Sequence, residues 1–258
     1  MTRTGTARSG SRRRAAPWPI AAVVLLIALA GAGGYAALNG GAADGSGPYG
    51  VATAPPASPP AASPPAGARS AVGLLDASAA RAALAALPVK GRAPATGYDR
   101  VAKFGEAWLD VDRNGCDTRD DILARDLADV TRRSDCRVLT GTLADPYTGT
   151  TIAFTRGQQT SARVQIDHVV ALLDAWETGA QSLSQETRIQ LANDPLELLA
   201  VDGPTNQAKG AGDAATWLPP AVGFRCEYAA RQVSVKAKYG LWVKPAEKSA
   251  LQRILAGC

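Results

Sequence analysis

The chain has 258 residues, enough for a tail plus a domain with its own core, and carries 28 lysines and arginines against 23 acids for a formal charge of +5. Six of those basic residues (Arg3, Arg8, Arg12, Arg13, Arg14 and Arg69) and one acid, Asp44, fall in residues 1–69, which leaves 22 of each sign in residues 70–258. A domain of no net charge excludes polyanion binding through a global positive field, so any nucleic acid must be held by a local patch or by a metal.

In chain order, residues 1–19 hold five arginines and no acid and run into the apolar stretch Ile20–Leu29, with small residues onward to Leu38. A basic segment before an apolar core predicts export. Residues 1–38 then form either a signal peptide cut near Ala28-Leu29-Ala30 or an uncleaved membrane anchor over Ile20–Leu38. In both cases the arginines stay on the cytoplasmic side and the C-terminal part lies outside, so contact with a membrane is confined to this segment. Residues 39–69 are mostly Gly, Ala, Ser and Pro, including Ala54-Pro-Pro-Ala-Ser-Pro-Pro; they cannot bury apolar surface and read as a disordered, semi-rigid linker.

Residues 70–258 read as a single domain. Leu74–Leu87 has helical spacing and is stopped by Pro88, and Asp120–Val130 places Ile122, Leu123, Leu127 and Val130 on one helical face. Val138–Leu143 and Thr150–Phe154 flank the turn sequence Asp145-Pro-Tyr-Thr-Gly149 and read as paired strands. Further strands are expected over Val164–Val170 and Leu196–Val201, and helices over Ala171–Ala192, Cys226–Tyr239 and Ala246–Leu255. Strands and helices in this order indicate an α+β fold.

Four cysteines, Cys116, Cys136, Cys226 and Cys258, form no C-x-x-C pair and have no neighbouring histidine, which argues against zinc. An even count after an export signal predicts two disulfides. Cheap closure of local loops favours Cys116 with Cys136 and Cys226 with Cys258, although sequence alone permits three pairings.

The single histidine, His168, ends an apolar strand directly after an acid, in Gln165-Ile-Asp-His-Val-Val170. Neighbours on a strand point to opposite sides, so Asp167 and His168 can serve one reaction centre only if the strand ends or bends there. Farther on, Leu196–Val201 leads to Asp202, an N-cap, and to Pro204 in the first helical turn, which puts Asn206 and Lys209 on one helical face.

Asp167-His168 followed by Asn206-Gln-Ala-Lys209 after an apolar strand resembles the ββα-metal fold of HNH nucleases. Within that superfamily, Val164–Leu172, Leu198–Asn206 and Asp213-Ala-Ala-Thr-Trp-Leu-Pro219 resemble a secreted bacterial branch related to the C-terminal nuclease domain of GmrSD-type restriction enzymes. The similarity extends to Asn114-Gly-Cys-Asp-Thr-Arg119 and the Asp145–Gly149 turn.

The resemblance implies a ββα-metal core embedded in a mostly helical domain, and an endonuclease acting on DNA, with RNA left open. His168 would be the general base, and Asp167 and Asn206 the ligands of one Mg²⁺ or Mn²⁺ ion suited to oxygen donors. The family's middle Asn, which orients the histidine, falls here on Glu197; Asn193 or Glu197 itself would take that task.

Lys209, Arg225 and Arg163, then Arg231, would contact phosphate, against the plainer reading of solvated charges. Trp217 reads as a packing anchor. Asp110-Val-Asp-Arg-Asn-Gly115, ending at Asp121, matches the first half of a calcium loop, but Asp117 and Cys116 break the pattern, so a turn held by Asx hydrogen bonds is the default and Ca²⁺ the minor reading. No protein partner is implied. The competing function is an inactive cell-surface binding module stapled by that loop, which the Glu197 departure favours and the Asp167, His168 and Asn206 set opposes.

Overall fold

A computed structural model describes Met1 and residues 73–258. The expected signal or anchor over residues 1–38 and the linker over residues 39–69 lie outside the described residues. Among the described residues no helix is long and apolar enough to cross a membrane.

The fold is α+β. Helix α1 (Ala77–Ala86) starts where the Asp76 carboxylate accepts from the Ala79 amide, and it buries Ala80 and Leu84. Those side chains pack with Val233 of α7 (Arg225–Lys238) and Leu251 and Leu255 of α8 (Pro245–Ala256). Between α1 and α7 come α2 (Arg100–Phe104) and α3 (Thr118–Asp126), followed by β1 (Leu127–Arg132), β2 (Val138–Ala144) and β3 (Thr151–Thr155). These three strands form an antiparallel sheet in chain order.

A second sheet pairs β4 (Val164–His168) antiparallel with β5 (Leu198–Asp202). The chain between them forms α4 (Leu172–Glu177) and α5 (Gln185–Ala192), and α6 (Gly203–Lys209) follows β5 without a loop. The two-stranded sheet is covered on both faces. Val164, Ile166, Leu198 and Ala200 join Ile122 and Leu123 of α3 and the three-stranded sheet, while Leu199 and Val201 face Tyr147 and Tyr228. Strands buried on both sides read as continuous apolar runs rather than alternating ones, which is why both were visible in the sequence.

Two expected helices differ. The one expected over Asp120–Val130 stops at Asp126, because Leu127 turns extended and its strand pairs with β2. Apolar residues at helical spacing fit either state when the partner is remote in sequence. The helix expected over Ala171–Ala192 is two helices. Gly179 breaks it at φ +128, where a β-carbon would meet the Trp242 ring at 3.1 Å, and Ser184 caps the second part through the Thr187 amide. Helix α2 was not foreseen at all.

Disulfides join Cys116 to Cys136 and Cys226 to Cys258, the pairing that local loop closure favours. The first ties the loop before α3 to the β1–β2 connection; the second ties the start of α7 to the C-terminus after α8.

Candidate functional site

His168 and Asp167 end β4, but their side chains leave from opposite faces. Asp167 stands opposite Leu199 and His168 opposite Leu198, and those partners belong to different apolar layers. Each side chain therefore has its own surroundings.

On the His168 face the imidazole is buried, with 7% of its surface exposed. Its Nε2 lies 2.9 Å from the Ala192 carbonyl oxygen. That carbonyl ends α5, where the last turn has no intrahelical donor for it, so the ring satisfies an otherwise orphaned acceptor. A carbonyl only accepts, so Nε2 carries the hydrogen and Nδ1 keeps the lone pair. Among the described residues Nδ1 has no hydrogen-bond partner, and it is not one of the unpartnered atoms sealed from solvent.

The imidazole stacks near-parallel with Trp108, ring centroids 6.2 Å apart, and Trp108 holds a left-handed φ of +65, a conformation that costs an L-residue about 1–2 kcal/mol. Together with Arg100, Phe104, Glu106, Leu172, Ala192 and Asn193 these rings line a cavity of about 10 Å³, room for about one water. Burial, reinforced by the Arg100 charge, pushes the His168 pKa down to about 3, so the ring is neutral across the physiological range.

Asn193 caps α5, and its Nδ2 donates to the Ile189 carbonyl at 3.0 Å. Its Oδ1 is buried without a hydrogen-bond partner. Glu197 sits behind the strand end rather than against the ring. Its Oε2 accepts from the Val170 amide at 3.1 Å and its backbone carbonyl from the Val169 amide at 2.9 Å, fixing the two residues that follow His168. Burial drives its carboxyl well above the ordinary range, and its Oε1 has no partner. The ring's hydrogen-bond partner is thus the Ala192 backbone, whereas the sequence pointed to a side chain, Asn193 or Glu197.

On the opposite face Asp167 is buried and both its oxygens are engaged. Oδ1 accepts from the Lys209 ammonium at 2.9 Å and Oδ2 from the Tyr147 hydroxyl. Lys209 also donates to the His168 carbonyl oxygen at 2.7 Å, and at 3% exposure it is no surface charge. Burial raises the Asp167 carboxyl, and Lys209 and Tyr147 pull it back down. Tyr147 comes from the Asp145–Gly149 turn, which is pinned to the β5–α6 junction because Asp145 Oδ1 accepts from the Asp202 amide at 2.9 Å. Asp202 caps α6 through the Thr205 amide, as its position before Pro204 suggested. One turn into α6, Asn206 donates to Gln165 Oε1 at 2.9 Å.

The structure therefore joins Asp167 with Lys209 and Asn206 with Gln165, and joins neither to the His168 cavity. As the side chains stand, the donor set does not fit a divalent ion at Asp167, because an ammonium and a hydroxyl already saturate its carboxylate.

Of the expected phosphate contacts, Arg225 donates from Nε to the Pro219 carbonyl. Arg231 is buried between the Leu196 carbonyl and Glu227, and Arg163 is exposed at the end of a 3₁₀ turn before β4. None of the three lines the cavity. Trp217 packs on Tyr147 and Tyr228 at 5.0 and 5.7 Å, the anchor its sequence position implied.

The acids of the Asp110–Asp121 loop are spent on the chain itself: Asp110 accepts from the Asn114 and Gly115 amides, and Asp112 from Asn114. This is the Asx-bonded turn of the default reading. Three buried carboxylates, Asp174, Asp213 and Glu247, also converge. Lys236 and Lys244 bridge them, Lys236 to Glu247 at 2.6 Å and Lys244 to Asp213 at 2.9 Å, so the cluster is an internal ion network.

Arg100, Trp108, Tyr147 and the Ala192 carbonyl are the site groups that sequence reasoning missed. Three of them lie outside any motif, and a backbone oxygen leaves no trace in residue identity. The local signal for Arg100 was Asp99, which caps α2 through the Ala102 amide and so starts a helix at that arginine.

Comparison with known proteins identifies the lineage. An uncharacterized secreted protein of Arthroderma benhamiae is 37% identical over 184 residues, which cover 70% of this chain and 86% of that relative. No solved structure matches. Residues 117–254, more than half of the chain, match the family described as GmrSD restriction endonucleases, C-terminal domain, and the chain belongs to that family.

Proposed function

We propose that this is an exported HNH-type endonuclease that hydrolyses phosphodiester bonds in DNA, with His168 as the general base acting through Nδ1. The observation that carries the reading is the tautomer: the Ala192 carbonyl holds the proton on Nε2 and leaves Nδ1 as a lone-pair acceptor at a cavity the size of one water. A water there donates a hydrogen bond to Nδ1. As its oxygen bonds to a phosphorus atom at the cavity mouth, Nδ1 takes its proton; the bond from phosphorus to the 3′-oxygen breaks, and the departing oxygen takes a proton from solvent.

A base whose pKa lies near 3 is a weak proton acceptor. A phosphodiester anion arriving beside the ring offsets that weakness, because a neighbouring negative charge favours the imidazolium. Glu197 contributes by fixing the Val169 and Val170 amides, so that the ring cannot drift from Ala192. In this reading β4, β5 and α6 are the ββα element. Export accords with the secreted relative and with two disulfides.

Magnesium or manganese is implied by the resemblance alone, with Asp167 and Asn206 as the expected ligands; the ammonium and hydroxyl on Asp167 do not fit that ion, and the reading of His168 does not depend on it.

The test is incubation of the purified chain with plasmid and with DNA and RNA oligonucleotides, in Mg²⁺, Mn²⁺ or chelator, beside His168→Ala. Cleavage lost in the variant is the expected result. Equal inactivity of both proteins under every condition refutes it and leaves the inactive binding module.

A further inference from the structure

We propose that Arg100 is the phosphate-docking residue of the His168 cavity, holding one phosphodiester group of a nucleic-acid strand over the recessed imidazole. This rests on the reading of His168 as the reacting base. The domain has no surplus positive charge, so the strand must be drawn in by a particular cation.

Among the described residues Arg100 is the one cationic side chain lining the cavity. Its backbone is fixed at the first position of α2, whose Phe104 is buried in the core, yet the residue itself is exposed. It enters none of the ion pairs among the described residues. An unpaired guanidinium at the mouth of a cavity that ends in a histidine has the fork geometry for two phosphate oxygens. Of the other expected phosphate contacts, Lys209 is committed to Asp167, Arg231 to Glu227 and Arg225 to Pro219, and Arg163, though exposed, does not line the cavity. Glu106, also exposed, lines the same cavity with the opposite sign and repels an incoming phosphate. Neutralising the two charges should therefore change binding in opposite directions, which a purely structural role for either would not produce.

The experiment measures binding of a labelled single-stranded oligonucleotide to the His168→Asn chain over a series of salt concentrations. Adding Arg100→Met should weaken binding roughly ten-fold, the loss of a charge-assisted contact. It should also reduce the slope of log affinity against log salt by about 0.7, one phosphate contact on a single strand. Arg100→Lys should keep most of the slope while losing part of the affinity, and Glu106→Gln should tighten binding.

Unchanged affinity and slope in Arg100→Met overturn the assignment, as does an affinity loss in Arg100→Met without a slope change. If the wild-type chain cleaves DNA but Arg100→Met matches its KM, only the Arg100 assignment falls. If the wild-type chain neither binds nor cleaves, the nuclease reading falls with it.

Discussion

The sharpest test of the site is Lys209→Met, which removes the ammonium from Asp167 and leaves the rest of α6 in place. Lys209 is buried, as is Asp167, and the pair is 2.9 Å apart with a further bond from Lys209 to the His168 carbonyl. Stranding one charge of a buried pair costs about 3–5 kcal/mol, because the remaining carboxylate has lost its counter-charge and cannot reach water. With a urea slope of roughly 2 kcal/mol per M, the unfolding midpoint falls by roughly 2 M. Asp167→Asn added to Lys209→Met removes the stranded charge and should restore more than half of the loss, a coupling of at least ~2 kcal/mol. Urea titrations of the four chains, followed by tryptophan fluorescence, give the cycle directly. Additive losses, or a Lys209→Met midpoint within about 0.5 M of wild type, would refute the argument that this pair holds α6 to β4. The same cycle tests the ion: if Mg²⁺ raises the midpoint of Lys209→Met but not of wild type, Asp167 can serve as a ligand once the ammonium is gone.

Three further outcomes rest on the surroundings of β4 and α6. The folded His168 has a pKa near 3 against about 6.5 unfolded, so the unfolded chain binds the extra proton first and stability declines as pH falls below about 6.5. Between pH 7 and pH 5 this amounts to about 2 kcal/mol, read as the difference between wild type and His168→Asn in melts at each pH; a difference independent of pH contradicts the buried neutral ring. Glu197 shifts the other way, its folded pKa raised by burial, so its contribution is present below about pH 4.5 and declines as pH rises above it. Gly203→Ala would place a β-carbon 2.0 Å from the Ala162 carbonyl oxygen, a backbone atom that cannot move alone. The expected cost is about 3 kcal/mol, or roughly 6–12 °C in melting temperature, and an unchanged melt would show that α6 does not pack this closely on the residues before β4.

Much of this protein was legible before any coordinates. The sequence determined where β4 and β5 lie, since both are apolar runs bounded by polar turns, and where α6 begins, since Asp202 and Pro204 are a cap and a first-turn residue. Among three possible disulfide pairings it favoured, through loop length, the one the structure shows, and it singled out His168 as the only one of its kind. Local chemistry suffices for such features because capping, turns and loop closure involve residues close in sequence.

What tertiary structure alone decided is which side chains meet. Strand alternation sends Asp167 toward Lys209 and His168 toward Ala192, Trp108 and Arg100, so two adjacent residues that a motif treats as one unit occupy separate layers. The Ala192 carbonyl that sets the tautomer and the arginine beside the ring come from elements remote from β4. Nothing in the identity of either residue marks that role, because the role is made by packing across the sheet.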